Sequence, residues 1–384
     1  MKRGLTGHFV PITTLGETCR AFVPRPLPPA PPLQLDERLH TLAQNAALAL
    51  GRLDALAALL PDPQVFLYSY VRKEAVLSSQ IEGTQSSLSD LLLYEADGSP
   101  GVPLDDVREV SSYVAALELG ITRMREGFPL SLRLIREIHA ILLRDGRGAH
   151  ASPGEFRRSQ NWIGGTRPGN ARHVPPPPEM VLQCMGALEE FLHGQPVAVP
   201  VLIRAALAHV QFETIHPFLD GNGRLGRMLI VFLLHTHGVL QQPLLYLSLY
   251  FKEHRSRYYE LLQAVRNEGD WEEWVEFFLE GVLAVASGAV DTAQRVLALF
   301  AQHQQQLHGL GRSATSALRL HDHLQRHPVT TAPAVVTATG MSFHTAQKMF
   351  GVLGALGIVA PGDERKYGRF YTYTGYLALL NRDD

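Results

Sequence analysis

Apolar positions recur every three to four residues along most of the chain, which predicts amphipathic helices rather than strands. Leu35–Pro61, LDERLHTLAQNAALALGRLDALAALLP, reads as one helix that stops at Pro61. A second, Val65–Gly83, ends on a glycine, as helices often do. Further helices are predicted in Leu104–Gly127, Ser131–Gly148, Glu179–Gly194 and Val199–Ile215. The run Leu225–Gly238, LGRMLIVFLLHTHG, is apolar on every side and reads as a buried helix. Ser248–Gly269 and Asp270–Leu307 each predict one helix more.

Three stretches break this rhythm. VPRPLPPAPPL (Val23–Leu33) carries six prolines and predicts an extended arm, laid over the protein's own surface or offered to a proline-reading module. Arg157–Pro178, RRSQNWIGGTRPGNARHVPPPP, has short extended pieces around a TRPGN turn and predicts a β-hairpin with a rigid exit. From about Ser313 the style changes again, with a helix–turn–helix pattern in Thr330–Gly357 and a β-wing in RKYGRFYTYT, Arg365–Thr374. No repeat at solenoid spacing is present. The division that results is an N-terminal arm and helices over 1–104, a core over 105–290, a linker helix over 291–312 and a small tail domain over 313–384.

Composition narrows the class. Of 384 residues, 46% are hydrophobic and 19% charged, which fits a folded core rather than disorder. The net charge of −2 gives no global field for nucleic acid or an anionic membrane. MKRGLTGHFVPITTLGE lacks the apolar core of a signal peptide, and MLIVFLL (Met228–Leu234) is too short to span a bilayer. Cys19 and Cys184 are too few for a disulfide framework or a cysteine-based zinc site. The expectation is a cytoplasmic globular protein without membrane contact.

The densest chemistry lies in IHPFLDGNGRLGR, Ile215–Arg227. One helix ends near Ile215 and another begins near Asn222 or Gly223. The first amides of that second helix are unpaired, and its dipole adds positive charge, which makes an anion site. Glycines let a ligand approach the backbone closely. Arg224 and Arg227 supply planar donors for phosphate oxygens, and Asp220 is a hard oxygen ligand suited to Mg²⁺. His216 stands at the lip, where a neutral imidazole can take a proton from a hydroxyl. Each residue alone has a structural explanation: Asp220 and Asn222 as helix caps, the glycines as a turn, the arginines as solvated charges. Together they point to phosphoryl-type transfer, in which positioning and charge neutralisation dominate.

HPFLDGNGRLGR resembles the signature of the Fic family, His-Pro-Phe-x-(Asp/Glu)-Gly-Asn-Gly-Arg-x-x-Arg, at every fixed position. The resemblance runs from roughly Val107 to Ala286 and takes in PGEFRRSQNWIGG and SLYFKEHRSRYYELLQAVRNEGDWEEWVEFFL. It implies a mainly α fold: a Fic-type helical bundle with a short β-hairpin flap, followed here by a small α+β domain that resembles a winged helix. It also implies an enzyme that transfers AMP from ATP to a Ser, Thr or Tyr hydroxyl of a protein, releasing pyrophosphate.

By the same resemblance His216 is the base and Asp220 the Mg²⁺ ligand. Gly221, Asn222 and Gly223 form the anion hole, Arg224 and Arg227 hold phosphates, and Leu225 and Gly226 complete the ATP-binding stretch. Phe218 is a core anchor, and Tyr259 lines the adenine or ribose pocket while its neighbour Tyr258 packs inside. The flap aligns an extended target segment by main-chain hydrogen bonds.

A second motif, SSQIEG, places Ser78 and Glu82 on one helix face with Gly83 ending the helix. A lone glutamate on a helix is ordinarily a solvated surface charge. The string also resembles the inhibitory motif of Fic proteins, which implies that Glu82 pairs with Arg227 and takes the donors the γ-phosphate needs. Removing one partner of a partly buried pair costs on the order of 3–5 kcal/mol, and ~1.4 kcal/mol is tenfold in rate. The inhibitory region spans about 65–83. Alternatives remain open at this point: AMP removal through Glu82, a nucleotide-sensing regulator, or another transferred group. The target can be another protein or a second copy of the chain, which suits a homodimer. The tail reads as a DNA reader or as a protein-contact module, since its Ser342–Leu356 helix offers only His344 and Lys348, and its wing Arg365, Lys366 and Arg369.

Overall fold

A computed structural model describes residues 1–59, 63–97, 102–362 and 369–381. The chain opens on a hairpin that the helical reading passes over. Strands β1 (Gly7–Thr14) and β2 (Glu17–Pro24) pair antiparallel in register from Gly7↔Pro24 to Thr14↔Glu17. Leu15 and Gly16 join them, both at positive φ (52° and 75°), as a two-residue turn between right-twisted strands requires. The proline arm then lies on the protein itself: Arg3 donates to the Pro31 and Pro32 carbonyls at 2.7 and 2.8 Å, and Leu27 is buried.

Eleven of the described helices form the body: α1 (Glu37–Leu59), α2 (Pro63–Ile81), α3 (Leu88–Asp97), α4 (Leu104–Arg125), α5 (Leu132–Leu142), α6 (Pro178–Leu192), α7 (Val201–Ile215), α8 (Asn222–Thr236), α9 (Leu247–Glu253), α10 (Arg255–Glu268) and α11 (Trp271–His308). Helices α7 and α8 pack on each other at the centre and are buried along almost their whole length. Around them stand α2, α4, α6, α10 and α11. Helix α3 has no counterpart in the sequence reading, and Ser248–Gly269 is two helices broken at His254, not one. The boundary expected at residue 290 falls inside α11, which runs unbroken for 38 residues, so the linker is the same helix as the end of the core. By length and composition α11 could cross a bilayer; here it packs along α1, α7, α9, α12 and α15.

The tail comprises α12 (Ala314–Arg326), β3 (Val329–Thr331), α13 (Ala332–Thr339), α14 (Phe343–Ala355), β4 (Val359–Pro361), β5 (Phe370–Tyr373) and α15 (Thr374–Leu380). Its strands form one antiparallel sheet in the order β3-β5-β4. Gly340 ends α13 in the left-handed conformation and Ser342 caps α14 through its hydroxyl, which makes the helix–turn–helix corner. Arg365 and Lys366, expected on the wing, lie outside the described residues, as does Pro61. The tail is tied to the body along α2: Tyr376 donates to Ser69 Oγ at 3.0 Å and buried Lys73 to the Leu380 carbonyl at 2.5 Å.

Candidate active site

Between α7 and α8 the chain must reverse in six residues, and two backbone features make this possible. His216 closes α7 in the left-handed conformation (φ 48°, ψ 61°), its N–H bonded to the Phe212 carbonyl. Gly221 opens α8 at φ 76°. A non-glycine residue at such an angle costs energy that the surroundings must offset, and here the loop is clamped on all sides. Asn222 closes a ring with Phe218, accepting its N–H and donating to its carbonyl, both at 2.9 Å. Asn161 donates to the same carbonyl at 2.9 Å. His139 stacks on the Phe218 ring at 3.7 Å, accepts the Gly154 N–H on Nδ1 and so donates from Nε2 to the Asp220 carbonyl at 3.0 Å. Burial pushes this imidazole down to about 4, which keeps it neutral in that role.

The deepest clamp is Arg157, 2% exposed. Its guanidinium donates to main-chain carbonyls of His216, Pro176, Ile215 and Ser159, and its own N–H to Pro217. No carboxylate pairs with it among the described residues; burial lowers its pKa to about 10, so it remains a cation. The segment that carries Arg157 continues into the flap, where the expected hairpin is reduced to one bridge pair, Ile163↔His173, around a short 3-10 turn at Pro168–Asn170. The N-terminal hairpin backs this flap: Phe22 N–H bonds the Val174 carbonyl at 2.8 Å, and Cys19 and Ala21 pack with Val174.

Opposite the loop, α2 ends against the first turn of α8. Arg227, 2% exposed, donates from Nε to Ser78 Oγ at 2.8 Å and from one terminal nitrogen to the Ser78 carbonyl and Glu82 Oε1, at 2.9 and 2.8 Å. The Glu82 carboxylate also lies over Gly223, where a Cβ would meet Oε1 at 2.2 Å. An anion therefore already stands at the helix N-terminus, with carboxylate oxygens where phosphate oxygens are expected. Burial opposes the Arg227 charge, but Glu82, Tyr258 and Glu213 together raise its pKa above the usual value. The Glu82 side chain is 37% exposed, so the ion pair is reachable from solvent. Gly83, at φ 100°, ends the helix behind it, and the Gln85 N–H beyond bonds Asp106 on α4 at 2.8 Å.

Arg224 turns the other way, to Glu109 on α4 at 3.4 Å and towards Asp220 at 3.6 Å. Asp220 is about half exposed and accepts the Gly221 N–H on one oxygen at 2.7 Å. The His216 ring is 20% exposed; burial, then Arg266 and Arg157, push its pKa down to about 3, so it is neutral at ordinary pH. Glu213 on the last turn of α7 is pushed up to about 7 by burial, against the pull of Arg227.

Tyr259 lines a cleft of about 800 Å³ between the flap (Ile163, Gly164, Arg172) and α10, whereas Tyr258 is buried and bonds His209 Nε2 at 2.8 Å. Two residues of the expected ATP stretch face elsewhere. Leu225 is in the core, and Gly226 abuts Glu213 and Phe212 on α7. The Asn222 amide is spent on the Phe218 backbone rather than on an anion. Sequence reasoning also passed over Arg157, His139, Glu109 and Glu213; the one local signal was an acid inside the apolar run AHVQFETI.

Comparison with known proteins covers the stretch that carries this site. The model described as Fic/DOC family N-terminal matches residues 40–122, and that described as Fic/DOC family matches residues 129–234. A protein adenylyltransferase Fic of Culex quinquefasciatus is 31% identical over 254 residues, 62% of this chain and 47% of its own length. That of Aedes aegypti is 35% identical over 208 residues, 52% of this chain and 38% of its own. The chain thus spans less than half the length of these curated relatives. Among solved structures, a Fic family protein from Desulfovibrio desulfuricans G20 superimposes with TM-score 0.59 at 20% identity, covering 90% of this chain and 98% of that one. Fic-1 from C. elegans (aa134–508) gives TM-score 0.53 at 21% identity, over 68% and 74%. From the matched stretches, the helical architecture and the loop between α7 and α8, the chain is a member of the Fic/DOC family.

Proposed function

We propose that this chain is a protein AMP transferase held in check by its own Glu82. The observation that carries the proposal is the Glu82 carboxylate on Arg227 and over Gly223, an internal anion at a helix N-terminus beside a neutral imidazole. In the reaction, the target hydroxyl oxygen attacks the α-phosphorus of ATP and the bond to the bridging oxygen breaks, releasing pyrophosphate. The hydroxyl proton passes to His216; its Nδ1 is buried, which leaves Nε2 as the nitrogen able to reach a substrate. With Glu82 in place, Arg227 cannot hold the terminal phosphate and the α-phosphate is turned away from in-line attack.

Mg²⁺ fits the donor set. Asp220 is a half-exposed carboxylate beside the anion site, suited to an ion that keeps most of its waters and takes phosphate oxygens. Bound there, the ion neutralises phosphate charge. Tyr259 and the cleft beside it would take the nucleoside, and the flap the target segment. The tail is read as a winged helix used for protein contact: α14 exposes Phe343, His344 and Lys348 but no arginine, while α15 is engaged on α2.

The test uses a cell lysate as the source of targets and ATP labelled on the α- or the γ-phosphate. α-Label on protein that depends on the added chain supports AMP transfer. γ-Label that depends on the added chain, without α-label, identifies phosphoryl transfer and overturns the proposal.

A further inference from the structure

Two buried polar atoms one turn apart at the end of α7 have no hydrogen-bond partner among the described residues: Nδ1 of His216 and Oε1 of Glu213. Nδ1 stands 3.9 Å from the second carboxylate oxygen, Oε2. A buried polar atom left unpaired costs about 1–3 kcal/mol, so the unpaired Nδ1, with the Glu213 carboxylate as a near acceptor through Oε2, marks a contact that a small shift makes. Room for the carboxylate exists because position 226 is glycine; a Cβ there would meet Oε1 at 2.5 Å. Arg227 on α8, Arg266, Tyr258 and Tyr259 on α10, Glu82 just past α2, and His216 stand around Glu213.

We infer that Glu213 is the positioning residue of the base: its carboxyl group accepts the Nδ1–H of His216 and thereby keeps Nε2 unprotonated toward the target hydroxyl. A carboxyl group offers an acceptor oxygen whether or not it is ionised. Closing 3.9 Å to a hydrogen bond needs a shift of about 1 Å, the kind of tightening that bound substrate brings to an open site. No proton leaves Glu213 in the step; the hydroxyl proton goes to Nε2 and charges the ring, which an ionised neighbour stabilises. The rival acceptor is the main-chain carbonyl of Glu213, which also lies beside the ring. It is unchanged by substitution, so mutation separates the two.

The inference rests on the AMP-transfer reading, and its test has one readout that does not. In a Glu82→Gly background, Glu213→Ala should lower kcat by about 10²-fold with KM for ATP nearly unchanged. Glu213→Gln, which keeps an acceptor oxygen and nearly the same shape, should lose only about 3–10-fold. Separately, ¹⁵N spectra of labelled histidine, assigned by difference with His216→Ala, should show the Nδ1–H tautomer in the parent and a mixture in Glu213→Ala. An unchanged tautomer in the alanine variant, or equal kcat in all three, hands the role to the main-chain carbonyl and overturns the inference. If the Glu82→Gly parent transfers no AMP at all, the proposed function fails, while the tautomer still decides what Glu213 does.

Discussion

Arg157 and Arg227 are buried guanidiniums on either side of the same loop, and they are held in opposite ways. Arg157 donates to main-chain carbonyls of residues fixed by the fold. Arg227 donates to a carbonyl and a hydroxyl of Ser78, and then to a carboxylate on a side chain 37% exposed. The first arrangement has no competitor: nothing diffusible can take the place of four backbone oxygens. The second invites one, because a phosphate oxygen makes the same charge-assisted bond as Glu82. Rigidity on one side and replaceability on the other are what the proposed autoinhibited transferase would need: a loop that stays formed while Glu82 and phosphate exchange on Arg227.

Four changes probe that contrast, and the largest concerns neither arginine. His216→Ala should lower transfer by at least ~10³-fold in steady-state assays while leaving ATP affinity near that of the parent, since it removes the base and little of the binding surface. Next, Arg157→Met should cost about 3–5 kcal/mol of stability, because it leaves several buried carbonyls unpaired. A thermal melt that moves by less than a few degrees would remove Arg157 from the account of the loop.

Glu82→Gly should raise transfer by about 5–30-fold, equivalent to about 1–2 kcal/mol. That is below the gain expected from a well-buried pair, because water already screens the Glu82 side chain. Gly223→Ala sharpens the comparison: a methyl at 2.2 Å from Glu82 Oε1 displaces the lock but occupies the same space as a phosphate oxygen. Its rate should stay at or below wild type even though Arg227 is freed.

The smallest effect is on pH. Burial raises Glu213 and Glu74 from 4.5 to about 7, so their contribution to stability is present below pH 4.5 and lost as pH rises through 7. His216 and His139, lowered from 6.5 to about 3 and 4, work in the opposite sense: their contribution is present above pH 6.5 and lost as pH falls through those values. Glu213→Gln cannot ionise. Between pH 5 and 8 its stability relative to wild type should therefore improve, by roughly 1–2 kcal/mol in paired melts.

The helical body was legible because burying one face of a helix demands apolar spacing, and α2, α7 and α8 begin and end within a few residues of where that spacing and the glycines place them. The hairpin β1–β2 was passed over, because its two short strands do not alternate cleanly and carry a weaker signal than the prolines that follow. The unbroken α11 hid a boundary because helical periodicity does not change where a helix leaves one packing partner for another. In the site, local spacing foretold what neighbours in sequence can do: a tight turn between two helices, an open helix N-terminus near Gly223, Ser78 and Glu82 brought to one side of their helix. It could not foretell Arg157, His139 or Glu109, which reach the loop from 59, 81 and 115 residues away. Nor does sequence carry exposure: the Glu82 side chain is 37% exposed, so its pair with Arg227 is weaker than a fully buried one.

The most direct measurement compares wild type, Glu82→Gly and Glu82→Gly/His216→Ala in one lysate with Mg²⁺ and α-labelled ATP, with intact-mass analysis of each chain for self-modification. AMP should accumulate on protein about tenfold faster with Glu82→Gly than with wild type, and not at all with the double variant. Equal labelling by wild type and Glu82→Gly would contradict the lock. Labelling that survives loss of His216 would contradict the chemistry.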